Sequence, residues 1–380
     1  MSQPITLLKW GTTVISLDCA VPCVLRIWLQ KLNEELNIDA DWMDSVFSKQ
    51  MNDEYGVKAT DMTGNTKWVN EEMLKSENTE LFENSVRELK GKGWLAIYNR
   101  FAVNLAKMNM ENIKGRVALQ VNPHEAYDKE AILGNARAYA TKFERVGIPK
   151  TRYFIQIPST GPALNAAKIL EEEGIRTLGT FVFSPEQAIA CSQAKMLYIS
   201  PYLNEVSAYN EPALGPGVAE DPATKHPMSP TIIKIIVTYK QFYAETGEEQ
   251  PLVKIASLIF PEEGMAAGAM GCHSATFPAD CIRDLAEVYY NAYDRPHDGT
   301  PKKEEYYKSA TAIPKRLMQL VGDIPSFDKC KDYLAQNGAL LDATIEKDSN
   351  IKRILNNALN LFRSQIGESR LKIEKAIVTL

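Results

Sequence analysis

The stretch YFIQIPSTGPALNAAKILEEEGIRTLGTFVFSPEQAIACSQAKMLYIS, residues 153–200, decides the fold. Tyr153–Pro158 is short, apolar and rich in β-formers, which predicts a strand. Thr160 and Pro162 open a helical pattern that Gly174 stops. Thr177–Phe183 reads as a second strand. Ser184-Pro185-Glu186-Gln187 then supplies an N-cap, a proline at the first helical position and a capping-box glutamine. Met196–Ser200 is a third strand. Nearly continuous apolar strands alternating with helices require a parallel sheet covered by helices.

The same alternation extends both ways. Upstream, Arg116–Asn122 (RVALQVN) predicts a strand. Asp128 caps a helix whose apolar positions Ile132, Leu133, Ala136, Tyr139 and Phe143 keep helical spacing, and Gly147 and Pro149 end it. Thr13–Leu17 and Val57–Asp61 are read as two earlier strands. Downstream come a Pro/Gly-rich loop, a helix near Thr231–Ala244, strand Leu252–Phe260 and a last strand at Ser274–Phe277. Eight parallel strands close most naturally into a (β/α)8 TIM barrel, an open doubly wound sheet being the competing arrangement. The expected division is a barrel over residues 1–300 and a strand-free, charged helical extension over 301–380, marked by Asn356, Leu359 and Leu361, that packs on it.

Composition narrows the function. The chain of 380 residues carries 43 basic and 48 acidic side chains, a net charge of −5, with no Lys/Arg-rich block. That balance excludes nucleic acid and membrane surfaces as bulk partners. No apolar run reaches the roughly 18 residues that span a bilayer, and Lys9 and Asp18 interrupt the N-terminal apolar stretch, so a cytoplasmic protein is expected. Six cysteines in a chain of this length make no disulfide framework. Cys19 and Cys23, one helical turn apart, read as buried thiols. Cys272-His273 with Cys281 lacks the CxxC spacing of a metal site, and core cysteines are the plainer reading. His124-Glu125 reads as a solvated turn. Phosphate loops, dinucleotide fingerprints, nucleophile elbows and HExxH are absent, so neither cofactor nor metal is expected.

Specific residues then carry a resemblance. The segments EAYDKEAILGNARA after strand 3, IQIPST on strand 4, GTFVFSPEQAIACSQA on strand 5 and ISPYLNEV on strand 6 resemble the transaldolase family in order and spacing. TDMTGNT (Thr60–Thr66) and Asp18 fit the same plan, over roughly residues 10–290. The resemblance implies a (β/α)8 barrel and chemistry through a strand-4 lysine that forms a Schiff base with a ketose. A strand-1 aspartate and a strand-3 glutamate would manage protons through a water. Carried across, Asp18 takes the aspartate's place, Asn65 the strand-2 asparagine's, Thr180 the strand-5 threonine's and Ser200 the strand-6 serine's. The lysine's position, however, is Gln156 and the glutamate's is Gln120. The arginine after ISP is Glu205. The strand-7 segment Ser257-Leu258-Ile259 keeps the serine and lacks the second arginine. Family members are often homodimers, and the terminal helices are expected at the barrel mouth or a subunit interface.

The changes share one direction. An amide lone pair is delocalised, so Gln156 cannot form an imine. Gln120 has no proton to exchange near neutral pH. Glu205 turns an anion clamp into an anion repellent, a contact worth roughly 4 kcal/mol at 4 Å before solvation offsets it. The local sum at lysine, arginine and glutamate positions goes from +1 to −1. Lys58 and Lys254 are the lysines to weigh as substitutes. Alternation puts Lys254 on the face opposite Ser257, toward the helices or solvent.

The expected site is therefore a barrel mouth presenting Asp18, Asn65, Gln120, Asn122, Gln156, Thr180, Ser200 and Glu205, with Tyr202 and Phe183 as an apolar wall. Asp18 or Glu205 is the expected general acid or base, the other role open to Asp18 being a cap on the following helix. Such a site suits Schiff-base-independent aldol, cyclisation or isomerisation chemistry on a small non-phosphorylated carbonyl or hydroxyl substrate, as in specialised metabolism. The alternatives are a non-catalytic binding or regulatory barrel and a conventional transaldolase moving a dihydroxyacetone unit between sugar phosphates.

Overall fold

A computed structural model describes residues 27–290 apart from 210, 212–214 and 218, and then 306–307, 313–322 and 331–380. Eight parallel strands form a closed barrel in sequence order. They are β1 (Asn37–Ala40), β2 (Met62–Gly64), β3 (Val117–Gln120), β4 (Tyr153–Pro158), β5 (Thr177–Val182), β6 (Tyr198–Pro201), β7 (Leu252–Ile255) and β8 (Ser274–Phe277). The barrel is the (β/α)8 arrangement that the strand–helix alternation requires. Between its strands and the surrounding helices lies the main apolar core, and Ala118, Phe154, Leu178 and Tyr198 make a second cluster inside the strands.

The central units form as their local chemistry dictates. Asp128 Oδ1 accepts from Ala131 N at 3.0 Å, capping the helix after β3. Ser184 Oγ accepts from Gln187 N at 3.2 Å, and Gln187 Oε1 takes the backbone N–H of Phe183 at 2.8 Å. That glutamine is buried and also ties Ser159 and Phe181 carbonyls to the helix start.

The first two strands lie elsewhere than expected. Thr13–Leu17 falls outside the described residues, and the barrel's first strand is the four-residue segment Asn-Ile-Asp-Ala. It pairs with β8 through Asn37↔Ser274 to Ala40↔Phe277. Strand 2 begins at Met62, just after the expected Val57–Asp61. Both strands are short and flanked by aspartates, so neither shows the β-branched run that marks β4 and β5.

Those aspartates explain the seam. β1 and β2 share only the Ala40↔Met62 register pair, and β7 and β8 share two. Lys254 Nζ on β7 reaches Asp39 Oδ2 on β1 at 2.6 Å and Asp61 Oδ2, just before β2, at 2.7 Å. All three side chains are nearly inaccessible to water, and the ammonium sits 4.2 Å from the Tyr198 ring centre. Asp39 Oδ1 accepts from Asp61 N, and Asp61 Oδ1 from Arg116 N. Burial disfavours the Lys254 charge, but the two carboxylates outweigh it and hold its pKa up. Lys254 therefore lies inside the barrel, contrary to the alternation argument. The reason is local: Ser257 has φ 60°, which breaks the two-residue period after β7.

The C-terminal segments close the top. Asp342 Oδ1 accepts from Gly161 N at 2.8 Å, at the start of the helix that follows β4. Gly338, at φ 83°, approaches so closely that a Cβ on it would lie 2.1 Å from Gly161 Cα. Asp348 then caps the helix Ser349–Thr379, which crosses the barrel mouth. Thr66 Oγ1 donates to Phe362 O at 3.0 Å, Arg363 Nε to Pro123 O at 3.1 Å, and Asn70 Nδ2 to Glu368 Oε2 at 2.9 Å.

Two outcomes are expected. Lys254→Met strands two buried carboxylates and costs about 3–5 kcal/mol in urea unfolding at pH 7.5. Burial already places Asp39 at about 6, above its usual 3.8. Its contribution is favourable at low pH and lost as pH rises through 6, so the variant recovers stability toward pH 5. Gly338→Ala meets both a left-handed backbone and the Gly161 contact, lowering stability by about 1–3 kcal/mol, read by thermal melting.

Candidate active site

Side chains at the C-terminal ends of the strands enclose a cavity of about 80 Å³ under the terminal helix. This is the face of a parallel barrel where loops assemble chemistry. Gln156, Thr180, Ser200, Tyr202, Ser257 and Asn65 all line it, and Leu361 and Phe362 form its roof. An apolar cavity of about 150 Å³ holds a benzene, so the space under this roof suits a ligand of a few heavy atoms.

Several wall groups are held in place while others stay uncommitted. Thr180 Oγ1 and the Tyr202 hydroxyl lie 3.1 Å apart, and burial pushes the tyrosine pKa up. Asn65 caps the helix Thr66–Leu74, accepting from Lys67 N at 3.0 Å and Trp68 N at 3.2 Å. Ser257 is fixed in its left-handed conformation through its carbonyl, which accepts from Asn204 Nδ2 at 2.9 Å. Asn204 donates in turn to Glu263 Oε1 at 2.8 Å, and Glu263 Oε2 takes the N–H groups of Ile259 and Phe260. The side chains of Gln156, Ser200 and Ser257 face the cavity without a hydrogen bond from the described residues. Their donors and acceptors are available to a ligand.

The titratable wall group is one the sequence reading missed. Asp41 directly follows β1, while Asp18 lies outside the described residues. The Asp41 carboxylate accepts from Trp68 Nε1 at 2.6 Å and Asn65 Nδ2 at 3.4 Å. Burial raises its pKa to about 6, against the pull of the Trp68 hydrogen bond and nearby Lys67. A buried carboxyl that titrates near neutrality inside a cavity has the character of a general acid or base. The alternating Asp39 and Asp41 of IDAD were the available signal, concealed by a strand too polar to be recognised.

Four expected site residues lie off the wall. Glu205 forms a two-pronged ion pair with Arg353 of the terminal helix, at 2.6 and 2.8 Å. That hydrogen-bonded pairing lowers the Glu205 pKa, so this half-buried carboxylate is a tie to the roof and not an acid in the cavity. Gln120 is buried beside Gln156 in the β3–β4 register, and its Oε1 accepts from Thr66 N at 3.1 Å. Asn122 caps the turn Pro123–Glu125, which also absorbs His124. Phe183 stands behind Tyr202, ring centres 5.7 Å apart, and the apolar wall it was expected to give comes from Phe362, Leu361 and Leu258.

The remaining candidates also find other roles. Lys58 precedes β2 and sits near enough to Lys114 to add to the burial that lowers the latter's pKa. Lys254 belongs to the buried ion triad. Cys272 and Cys281 are buried thiols with raised pKa values, Cys272 at about 12. Cys19 and Cys23 lie outside the described residues. Among the described residues no helix is long and apolar enough to cross a membrane.

Comparison with known proteins follows the same geometry. The sequence profile described as Transaldolase/Fructose-6-phosphate aldolase matches residues 40–365, from the end of β1 into the terminal helix. A transaldolase of Allorhizobium ampelinum is 29% identical over 223 residues, 56% of this chain and 67% of the relative. One of Synechocystis sp. is 27% identical over 61% of this chain and 54% of its own length. One of Nostoc punctiforme is 35% identical over 39% of this chain and 44% of its own. The aligned part thus spans about half to two thirds of the first two relatives. A profile match over most of the chain, on a closed eight-stranded parallel barrel, shows that the chain belongs to the transaldolase/fructose-6-phosphate aldolase family.

Proposed function

We propose that this protein is a transaldolase-family enzyme whose reaction proceeds without a Schiff base. Its substrate is a small non-phosphorylated carbonyl or hydroxyl compound, and Asp41 is its general acid–base group. The reaction classes are aldol or retro-aldol cleavage, cyclisation and isomerisation, with specialised metabolism as the setting. The observation that carries this reading is Gln156, an amide directed into the cavity from β4 where the family resemblance puts the amine. An amide cannot attack a carbonyl to give an imine, but it can hydrogen-bond one.

The surroundings agree with that substrate class. No arginine is among the cavity-lining residues, and the rim carboxylate Glu205 is already paired with Arg353. Gln156, Ser200, Ser257 and Thr180 offer neutral donors and acceptors for hydroxyl and carbonyl oxygens, which a buried site uses to fix orientation. Asp41 is largely ionised above pH 6 and can accept a proton from carbon or oxygen, returning it elsewhere on the substrate.

Borohydride reduction in the presence of dihydroxyacetone, followed by peptide mass spectrometry, tests the carrying observation. The wild-type protein is expected to trap no lysine adduct and to transfer no dihydroxyacetone unit between sugar phosphates. Gln156→Lys, which places an amine in the cavity, is expected to trap one at 156. A trapped lysine in the wild type, or ordinary transfer activity, overturns the reading.

Asp41 gives a second, substrate-independent outcome. Its folded pKa lies above the unfolded value of about 3.8, so its favourable contribution exists at low pH and is lost as pH rises through 6. Asp41→Asn keeps an acceptor for Trp68 and removes the buried charge. It is expected to stabilise the protein by about 1–3 kcal/mol at pH 8 and to change little at pH 4. Equal urea midpoints for variant and wild type at pH 8 would contradict a desolvated Asp41.

A further inference from the structure

The wall group with no place in the reading above is Lys67. Its ammonium lies 3.5 Å from the ring centre of Trp68 and 4.8 Å from that of Tyr209, and 3.0 Å from Glu71 Oε1. The same indole donates its N–H to Asp41 at 2.6 Å. Trp68 therefore holds a carboxyl at its edge and a cation on its face, and all three residues line one cavity. Lys67 is the only lysine or arginine among the described residues that line the cavity. A carboxylate and two ring faces are the partners of a cation, which marks this lysine as a fixed charge rather than a nucleophile.

Imine-free chemistry at a carbonyl needs such a charge. When a proton leaves the carbon beside a carbonyl, the electron pair moves into a new C=C bond and the oxygen becomes an enolate anion. An imine would absorb that pair at nitrogen; with Gln156 in place, the negative oxygen has to be met by a cation or by donors. We propose that Lys67 is the electrostatic stabiliser of this enolate oxygen and Trp68 the residue that fixes it relative to the base Asp41. This assigns α-hydroxy-carbonyl compounds as the substrate class, and it rests on the Schiff-base-independent reading. In the step, the α C–H bond breaks, Asp41 carboxylate takes the proton, the C–H pair becomes the C=C bond, and the carbonyl π pair moves onto the oxygen facing Lys67. Asp41 then gives the proton back: to the same carbon in exchange; to the neighbouring carbon in isomerisation, once the proton of the adjacent hydroxyl has passed to the enolate oxygen; or to the alkoxide oxygen formed when the enolate carbon adds to an aldehyde.

Deuterium exchange tests this without knowledge of the natural substrate. Dihydroxyacetone and hydroxyacetone are incubated with the full chain in D2O, and loss of their α-proton signals is followed by NMR. The wild type is expected to accelerate exchange, with a rate that rises through about pH 6. Groups facing Asp41 that set this midpoint are Trp68, Asn65, Lys67 and Glu71, with the Tyr202 and Tyr209 phenols nearby. Lys67→Met is expected to lower the maximal rate about 10²–10³-fold with little change in KM, while melting like the wild type. Lys67→Arg keeps a cation on the ring and retains part of the rate. Trp68→Phe keeps a ring face but removes the N–H that lowers the Asp41 pKa, so the midpoint moves up.

The outcomes separate the two readings. Exchange by Lys67→Met at the wild-type rate overturns the role of Lys67 and leaves the imine-free function standing. Exchange by the wild type no faster than buffer overturns both. Borohydride trapping at Lys67 overturns both in another way, by making Lys67 an imine-forming amine.

Discussion

The barrel depends on one buried ammonium. Lys254 joins β7 to β1 and to the residue that opens β2, across the seam where strand pairing is thinnest. Two carboxylates and one ammonium leave one negative charge in the interior, which is costly unless every lone pair is used. Here backbone N–H groups of Asp61 and Arg116 take the oxygens that Lys254 does not. The triad also fixes the end of β1 from which Asp41 departs. A chain that closes its barrel with a buried ion triad thereby also sets the position of Asp41.

Two departures from regular geometry then shape the cavity. The left-handed Ser257 turns its side chain into the barrel although Lys254, three residues earlier, also points inward. Such a backbone costs energy and persists where surroundings hold it, and Asn204 and Glu263 provide that hold. At the top, Gly161 and Gly338 permit contact between backbones that any side chain would prevent. That contact seats the helix Ala335–Lys347 on the start of the helix after β4, and the terminal helix carrying Phe362 follows it. The two glycines of that contact are 177 positions apart in the chain (338 − 161).

That separation explains what could be read from sequence and what could not. The strands from 117 to 201 and their caps follow from local patterns, because apolar runs, N-caps and stop signals all lie within a few residues of each other. Thr180, Ser200, Tyr202, Asn65 and Ser257 were legible as cavity residues through order and spacing along those strands. β1 was not, since four half-polar residues resemble a turn more than a strand. Asp41 was lost with it. Glu205 was misread for another reason: its charge was visible, but its partner Arg353 lies 148 residues away on a helix whose docking no local signal reveals.

The electrostatics of the mouth differ accordingly from a simple inversion of charge. Glu205 looks like an anion repellent in isolation, yet its pairing with Arg353 makes that side of the rim neutral. The charges that remain at the cavity are Asp41 and Lys67, which share Trp68, with Glu71 behind the lysine. A bidentate ion pair of this kind already satisfies Arg353, so its guanidinium is committed to Glu205. In the proposed reaction, a carboxyl and an ammonium held at different parts of one indole serve a neutral ligand that becomes polarised. Charge separation created in the transition state then meets charges already in place, and this is the condition under which a preorganised site accelerates a step rather than merely binding its substrate.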